Sequence, residues 1–385
     1  RYLSKYLVKS IIFVKNEMTM DITGTIKGIK YKPLFLDKLK EIDIKEFNIN
    51  EVPATCLLKS NNNLFAVSKW VSPKRTRSYP FERVYNSLGI SKKITVIPIV
   101  KDEGASGDRD FIQWDTVSLM SLLDVFVIFA YYDKAEINPR NEQKITNQQF
   151  NNKYVIAKIK EIEQYHSSAL HWNLNELNVS FHDILDKAKL AYLKIERTTK
   201  VALHNISGLD NFKEKIGKDV SLFMQFSREK AQKAQGREYV TLQPKESLST
   251  FSKAKITITN YLGGQYFFTV DEIEIVKETI YLIEGKHSQN SLLPSKGDIK
   301  DGLLKMILYC NLIDVKVNNK RIKSCPVLLL TSSRLTDSMS SLDTKQKRDK
   351  YFEKNKFSNS QKTMIETLIT EANKNNFIVK LIYSK

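Results

Sequence analysis

One short stretch, DEIEIVKETIYLIEGKHS (271–288), holds an aspartate, an alternating run and then Glu-Gly-Lys. If Lys277 and Glu278 form a two-residue turn, Val276 pairs with Thr279 and the register of a hairpin follows. Asp271 then lies opposite Glu284. Side chains alternate along strands, so Asp271, Ile273 and Ile275 share a face with Ile280, Leu282, Glu284 and Lys286, while Glu272 and Glu274 point the other way. A face that reads as core thus ends in two acids and a lysine, which is costly unless the charges are paired or bind a metal. Facing carboxylates repel, and a hard divalent cation relieves this by taking oxygen ligands from both. Magnesium would keep several waters there and reach a substrate phosphate, with Lys286 orienting the attacking water or helping to deprotonate it. The chemistry is phosphodiester hydrolysis by in-line attack of water.

An acid, any residue and a lysine form a cheap triplet in this composition, recurring at Asp43, Glu142, Asp298, Asp314 and Asp343. What distinguishes Glu284-Gly-Lys286 is the facing Asp271, the buried strand YLIEGK and the order of elements around them.

Those elements read as follows. DVSLFMQFSREKAQKAQ (219–235) is a helix with Asp219 as N-cap and Gly236 just past its end. AKITITNYLGG (254–264), YFFTVDEIEIV (266–276) and TIYLIEGKHS (279–288) are strands. Asp298 caps an amphipathic helix, DIKDGLLKMILYCNL (298–312), and CPVLLLTSS (325–333) is a buried strand. Residues 336–360 read as a polar loop with a frayed helix, 363–376 as a helix and 377–384 as a last strand. Upstream, LFAVSKWV (64–71) and ITVIPIV (94–100) are strands, Pro98 marking an edge or a bulge. KDEGASGDRD (101–110) is a loop, with Asp108 or Asp110 capping the helix in FIQWDTVSLMSLLD (111–124), and VFVIFAYY (125–132) is a continuous apolar strand. Strand, helix, strand is the βαβ pattern. From 151 to 235 the period is helical. We therefore expect an α/β protein (α+β mixed): an N-terminal α/β domain (1–150) for DNA recognition, a helical connector (151–218) and a catalytic domain (219–385).

Lys and Arg total 61 against 43 acids, a formal charge of +18 that favours a polyanionic partner. In SPKRTRSYPFERVYN (72–86), Lys74, Arg75, Arg77 and Arg83 interleave with Tyr79, Phe81 and Tyr85, a composition suited to phosphates and base edges or to a solvated loop anchored by its aromatics. Three dispersed cysteines give no disulfide framework or zinc pattern, and His166 and His171 do not share a helix face as a zinc pair would. His287 alternates onto the face opposite Lys286. No apolar run is long enough to span a membrane, and the opening segment is too short and too charged for a signal peptide, so a cytoplasmic protein is expected. Because the chain opens on Arg1, a few residues are expected to precede it.

The spacing of Asp271 and Glu284-Gly-Lys286, with this order of elements, resembles the PD-(D/E)xK nuclease superfamily. Within it, NYLGGQYFFTVDEIEIVKETIYLIEGKHS resembles bacterial type II restriction endonucleases, as do, less specifically, SYPFERVYNSL (78–88) and VIPIVKDEG with DRDFIQWDT (96–116). The resemblance implies a restriction-endonuclease-like core (αβββαβ, mixed sheet). It implies Mg²⁺ held by Asp271, Glu284 and the Gly285 carbonyl, and Lys286 assisting the attacking water. Val270 stands where the motif has its proline, a substitution that leaves the carboxylate in place. The superfamily at times uses an extra acid on the preceding helix, for which Glu229 and Glu238 are the candidates. Double-stranded DNA as partner, a homodimer to cut both strands and a cognate methyltransferase complete the expectation. The competing readings are a repair or recombination nuclease of the same superfamily and a catalytically silent DNA-binding protein.

Overall fold

The computed structural model describes residues 20–61, 63–73, 80–216, 220–240 and 254–384, with the side chains of 234 and 237–240 excepted. The chain is mixed α/β and holds several sheets, some of mixed direction.

After strand β1 (Asp21–Ile26) comes a five-stranded sheet. Its order is β2 (Glu41–Asp43), β3 (Thr55–Ser60), β4 (Asn63–Lys69), β5 (Lys92–Pro98) and β8 (Val125–Ala130). Helix α1 (Pro80–Ser87) joins β4 to β5, and α2 (Trp114–Leu122) joins β5 to its parallel neighbour β8, which is the expected βαβ unit. Pro98 closes β5 beyond its last pairing with β4 at Lys69–Val96, where its missing N–H is harmless. β8 ends the sheet, yet all six of its residues are buried. Asn173 Oδ1 accepts from Val127 N–H, while Asn173 Nδ2 and Trp172 Nε1 donate to the carbonyls of Val125 and Val127, so side chains satisfy the open edge.

The segment expected as a loop at 101–110 is a small hairpin of β6 (Val100–Asp102) and β7 (Arg109–Phe111). Neither Asp108 nor Asp110 caps α2; its N-cap is Gln113, with no side-chain capping bond. A second hairpin, β9 (Tyr132–Asn138) with β10 (Asn141–Phe150), precedes the helical region. That region holds α3 (Asn152–Glu163), α4 (Ala169–Asn175), α5 (Phe181–Thr199), α6 (Ser207–Ile216) and α7 (Val220–Val240). α7 runs past Gly236 rather than stopping before it, because a single glycine weakens a helix without breaking it. Asp219 lies outside the described residues.

β11 (Ala254–Asn260) and β12 (Gln265–Val270) form an antiparallel pair. β1 lies parallel to β11 and antiparallel to β15 (Ile313–Val317), which in turn pairs with β16 (Lys320–Arg321). The first described strand thus pairs with one some 230 residues later in the chain, between Lys255 and Asn260, and the sheet is completed only by β16. The next sheet has the order β13 (Glu272–Val276), β14 (Thr279–Ser288), β17 (Lys323–Ser332), β19 (Ile378–Tyr383) and β18 (Ser338–Ser340). β14, β17 and β19 are mutually parallel, and the outer strands run against them. α8 (Lys296–Cys310) makes the crossover from β14 to β17, and α10 (Asn359–Asn375) that from β17 to β19. Ser295, not Asp298, is the N-cap of α8: its hydroxyl accepts from Asp298 N–H and donates to the Asp298 carboxylate. The stretch expected as a loop with a frayed helix does hold a helix, the well-formed α9 (Lys345–Lys354) capped by Thr344, and also the short strand β18.

The N-terminal segment is bound tightly across this second half. Buried Glu371 on α10 accepts from Tyr31 and Tyr85 hydroxyls and from the backbone N–H groups of Leu34 and Phe35. Buried Lys300 on α8 pairs with Asp37. α1 packs against α8, which brings the end of the basic 72–86 stretch beside the helix that covers β14.

Candidate active site

The register of the key hairpin is the one its turn chemistry requires. Lys277 adopts φ +54°, Val276 pairs with Thr279, and the ladder runs back through Ile273–Leu282 to Glu272–Ile283. One step further sets Asp271 opposite Glu284. Asp271 itself belongs to neither strand: the run expected as one strand over 266–276 divides here into β12 and β13, which lie in different sheets. The aspartate therefore sits where the chain passes from one sheet to the other. Its Oδ2 accepts from the Gly285 N–H at 3.0 Å, its sole hydrogen bond among the described residues.

Glu284 is 1% exposed, and each of its oxygens meets an ammonium. Lys286 Nζ is 3.0 Å from Oε1 and Lys305 Nζ is 2.8 Å from Oε2. Lys286 reaches a second acid, Asp301, at 2.7 Å. The site is thus an alternating cluster of three acids and two lysines, with Asp301 and Lys305 supplied by α8 at helical i, i+4 spacing. Sequence reading missed both. The sequence held a partial signal: Lys305 interrupts the apolar run Leu303-Leu304-Lys305-Met306-Ile307-Leu308, and a charge set in such a run needs a partner. Gly302 lets α8 approach, since a Cβ there would stand 2.7 Å from Leu328 Cδ1 and 3.3 Å from Lys286 Cε.

These contacts set the two carboxyls apart. Burial pushes the Asp271 carboxyl up to about 7, helped by the neighbouring Glu284 charge and opposed by the two lysines and the Gly285 N–H. Burial also acts on Glu284, but Lys305 and Lys286 together outweigh it and hold this carboxyl below its ordinary range. Lys286 is desolvated, yet Glu284 and Asp301 keep it firmly protonated. In the ion-free protein Glu284 is therefore charged, while Asp271 titrates near neutrality.

A stability test follows from this difference. With a folded value near 7 against an ordinary 3.8, Asp271 binds more protons in the folded state, so its contribution is present at low pH and lost as pH rises towards 8. Glu284 contributes with the opposite sign, and only below its ordinary range. In urea unfolding without divalent ions, the stability difference between Asp271→Asn and the wild type should shift in favour of the variant by about 2–3 kcal/mol between pH 5 and pH 8. A stability gap that does not change with pH would show that Asp271 is an ordinary surface carboxylate.

The other candidates are dispersed. Lys74, Arg75 and Arg77 lie outside the described residues. Arg83 lies on α1 and donates to the Lys69 carbonyl at 2.7 Å, so its guanidinium braces α1 against β4 instead of standing free in a loop. Glu229 is exposed on α7, and the Glu238 side chain lies outside the description. The structure does not bring Glu229 into a contact with the cluster. His287 turns to Thr331, with Nδ1 3.0 Å from Oγ1, on the face away from Lys286.

The donor set suits a hard cation. Asp271 and Glu284 offer oxygen, no histidine or cysteine intrudes, and one Asp271 oxygen lacks a hydrogen bond among the described residues. No group of three or more His, Cys, Asp or Glu side chains arranged to hold a metal occurs among those residues. Two carboxylates are nonetheless enough for magnesium, which keeps most of its waters. Among the described residues no helix is long and apolar enough to cross a membrane. No protein-family model, curated protein or solved structure matches the chain.

Proposed function

We propose that the protein is a Mg²⁺-dependent, sequence-specific endonuclease of double-stranded DNA, acting as type II restriction enzymes do. One observation carries this reading: a hairpin and a change of sheet set Asp271 against Glu284-Gly-Lys286, at the end of a strand that a helix covers. The succession α7, β11, β12 with β13, β14, α8, β17 supports a restriction-endonuclease-like core, in which β14 and β17 are parallel neighbours. A charge of +18 fits a nucleic-acid partner.

In this reading Asp271, Glu284 and the Gly285 carbonyl hold the ion. Bound Mg²⁺ supplies Lewis-acid stabilisation of charge on the phosphoryl oxygens. Lys286, kept charged by Glu284 and Asp301, orients water and offsets developing negative charge; to accept a proton it would first have to release one of its own, which those two acids oppose. The N-terminal α/β unit (1–150) is proposed to read the DNA and the helical connector (151–218) to join it to the nuclease unit (219–385). A homodimer in the cytoplasm, beside a cognate methyltransferase, completes the proposal.

Incubation of pure protein with phage DNA and Mg²⁺ tests it: discrete bands are expected. A smear would favour a repair or recombination nuclease, and intact DNA that is nonetheless bound would favour a silent DNA-binding protein. The basic segment has its own test. Replacing Arg75 and Arg77 together by alanine should weaken DNA binding and lower the salt slope by about one to two units. Unchanged affinity and slope would remove the segment from the interface.

A further inference from the structure

Glu284 is the acid that a divalent ion most needs, yet both its oxygens are taken. The two lysines that take them are not equivalent. Lys286 is held from its other side by Asp301 at 2.7 Å and can keep that partner if Glu284 turns to an ion. Lys305 has its 2.8 Å bond to Glu284 and no other hydrogen bond among the described residues. Its side chain is 16% exposed, much as that of Lys286 is, so it is the missing second acid and not solvation that sets the two lysines apart. An ion about 2.1 Å from a carboxylate oxygen would share lone pairs with this ammonium and repel it strongly in a poorly solvated setting.

The structure assigns Lys305 as a built-in counter-cation that competes with the divalent ion for Glu284 and must withdraw for the ion to bind. This rests on the two-carboxylate cation site proposed above. Lys305 keeps the ion-free cluster neutral enough to fold, and ion affinity is set lower than the two acids alone would give. Occupancy then depends on whatever else favours the ion, above all a DNA phosphate that contributes a further oxygen.

The test compares the full-length wild type with Lys305→Met, Lys305→Gln and Lys286→Met, titrated calorimetrically with Ca²⁺ or Mn²⁺ alone and melted with and without Ca²⁺. Both Lys305 variants should bind the ion about tenfold more tightly or better. Both should melt lower than wild type without the ion and gain more from adding it. A variant that folds only with Ca²⁺ supports the assignment, and one that fails to fold even at saturating Ca²⁺ overturns it. Equal or weaker affinity in the Lys305 variants, beside measurable wild-type binding, overturns it too. So does a larger gain from Lys286→Met, which would give the role to the other lysine. If neither wild type nor variants bind either ion, with or without DNA, the cation site falls and this inference falls with it.

Discussion

Asp271→Ala is expected to abolish cleavage, with a loss on the order of a thousandfold or more, while DNA binding that does not depend on a divalent ion survives. The expectation rests on position. Asp271 sits at the step between two sheets, opposite Glu284, with its Oδ2 fixed by the Gly285 N–H at 3.0 Å. In the proposed cation site, losing one of two carboxylate ligands would remove most of the charge stabilisation that the ion would offer the phosphoryl oxygens, worth several kcal/mol. Asp271 is also the cleaner of the two acids to remove. Glu284→Ala would strand Lys305, 2.8 Å from it, and leave Lys286, 3.0 Å from it, with Asp301 alone in the cluster. Breaking a buried pair from one side costs about 3–5 kcal/mol, so inactivity of that variant mixes chemistry with unfolding. Asp271→Ala leaves both lysines paired with Glu284, and Asp271→Asn keeps the shape as well. Single-turnover cleavage in Mg²⁺, alongside DNA binding without divalent ions and circular dichroism, separates the effects. Full cleavage by either Asp271 variant at ordinary Mg²⁺ would dismiss the site.

What the sequence made legible was local. The hairpin register follows from a two-residue turn and strict alternation, and β11 shows the same alternation as a buried–half-buried repeat along its whole length. The unit β5–α2–β8 was visible because an apolar run, a helical period and a second apolar run follow one another. The break at Asp271 was read through: the polar pair Asp271-Glu272 does interrupt the apolar run between Val270 and Ile273, but two polar residues are tolerated within a single strand, and only the pairing shows that the chain changes sheet there. The pairing of β1 with β11 depends on contacts far apart in the chain, which no local period encodes. The β9–β10 hairpin escaped notice because its strands are largely exposed and polar. Ser295 and Asp298 are both good capping residues, and only geometry shows the serine at the cap with the aspartate bonding back to it. Of the site, the acids and lysine carried by one hairpin could be read directly. Asp301 and Lys305 come from a separate helix, and their place depended on how α8 docks over β14.

Lys286→Ala is expected to cut the hydrolysis rate by about two to four orders of magnitude while Ca²⁺-supported DNA binding stays nearly intact. An ammonium has no free lone pair and is not a metal ligand, so its loss should spare ion affinity where the loss of Asp271 does not. The structure adds a reason for the size of the effect. Lys286 lies between Glu284 at 3.0 Å and Asp301 at 2.7 Å, so its position is fixed before substrate arrives and little reorganisation remains to be done. Removing it leaves Glu284 paired with Lys305, which keeps the strand in place, but leaves Asp301 without its partner. Lys286→Arg should rescue poorly: beside Gly302, where the Lys286 stem lies 3.3 Å from the site of a Cβ, a broad guanidinium cannot take the path of a compact ammonium. Asp301→Asn supplies the control for positioning. It retains Lys286 but loosens its anchor, so it should lower the rate less than Lys286→Ala and leave ion affinity unchanged. Near-wild-type cleavage by Lys286→Ala would mean that Glu284-Gly-Lys286 is a structural strand end whose charges only balance one another, and that hydrolysis, if present, is carried out elsewhere in the chain.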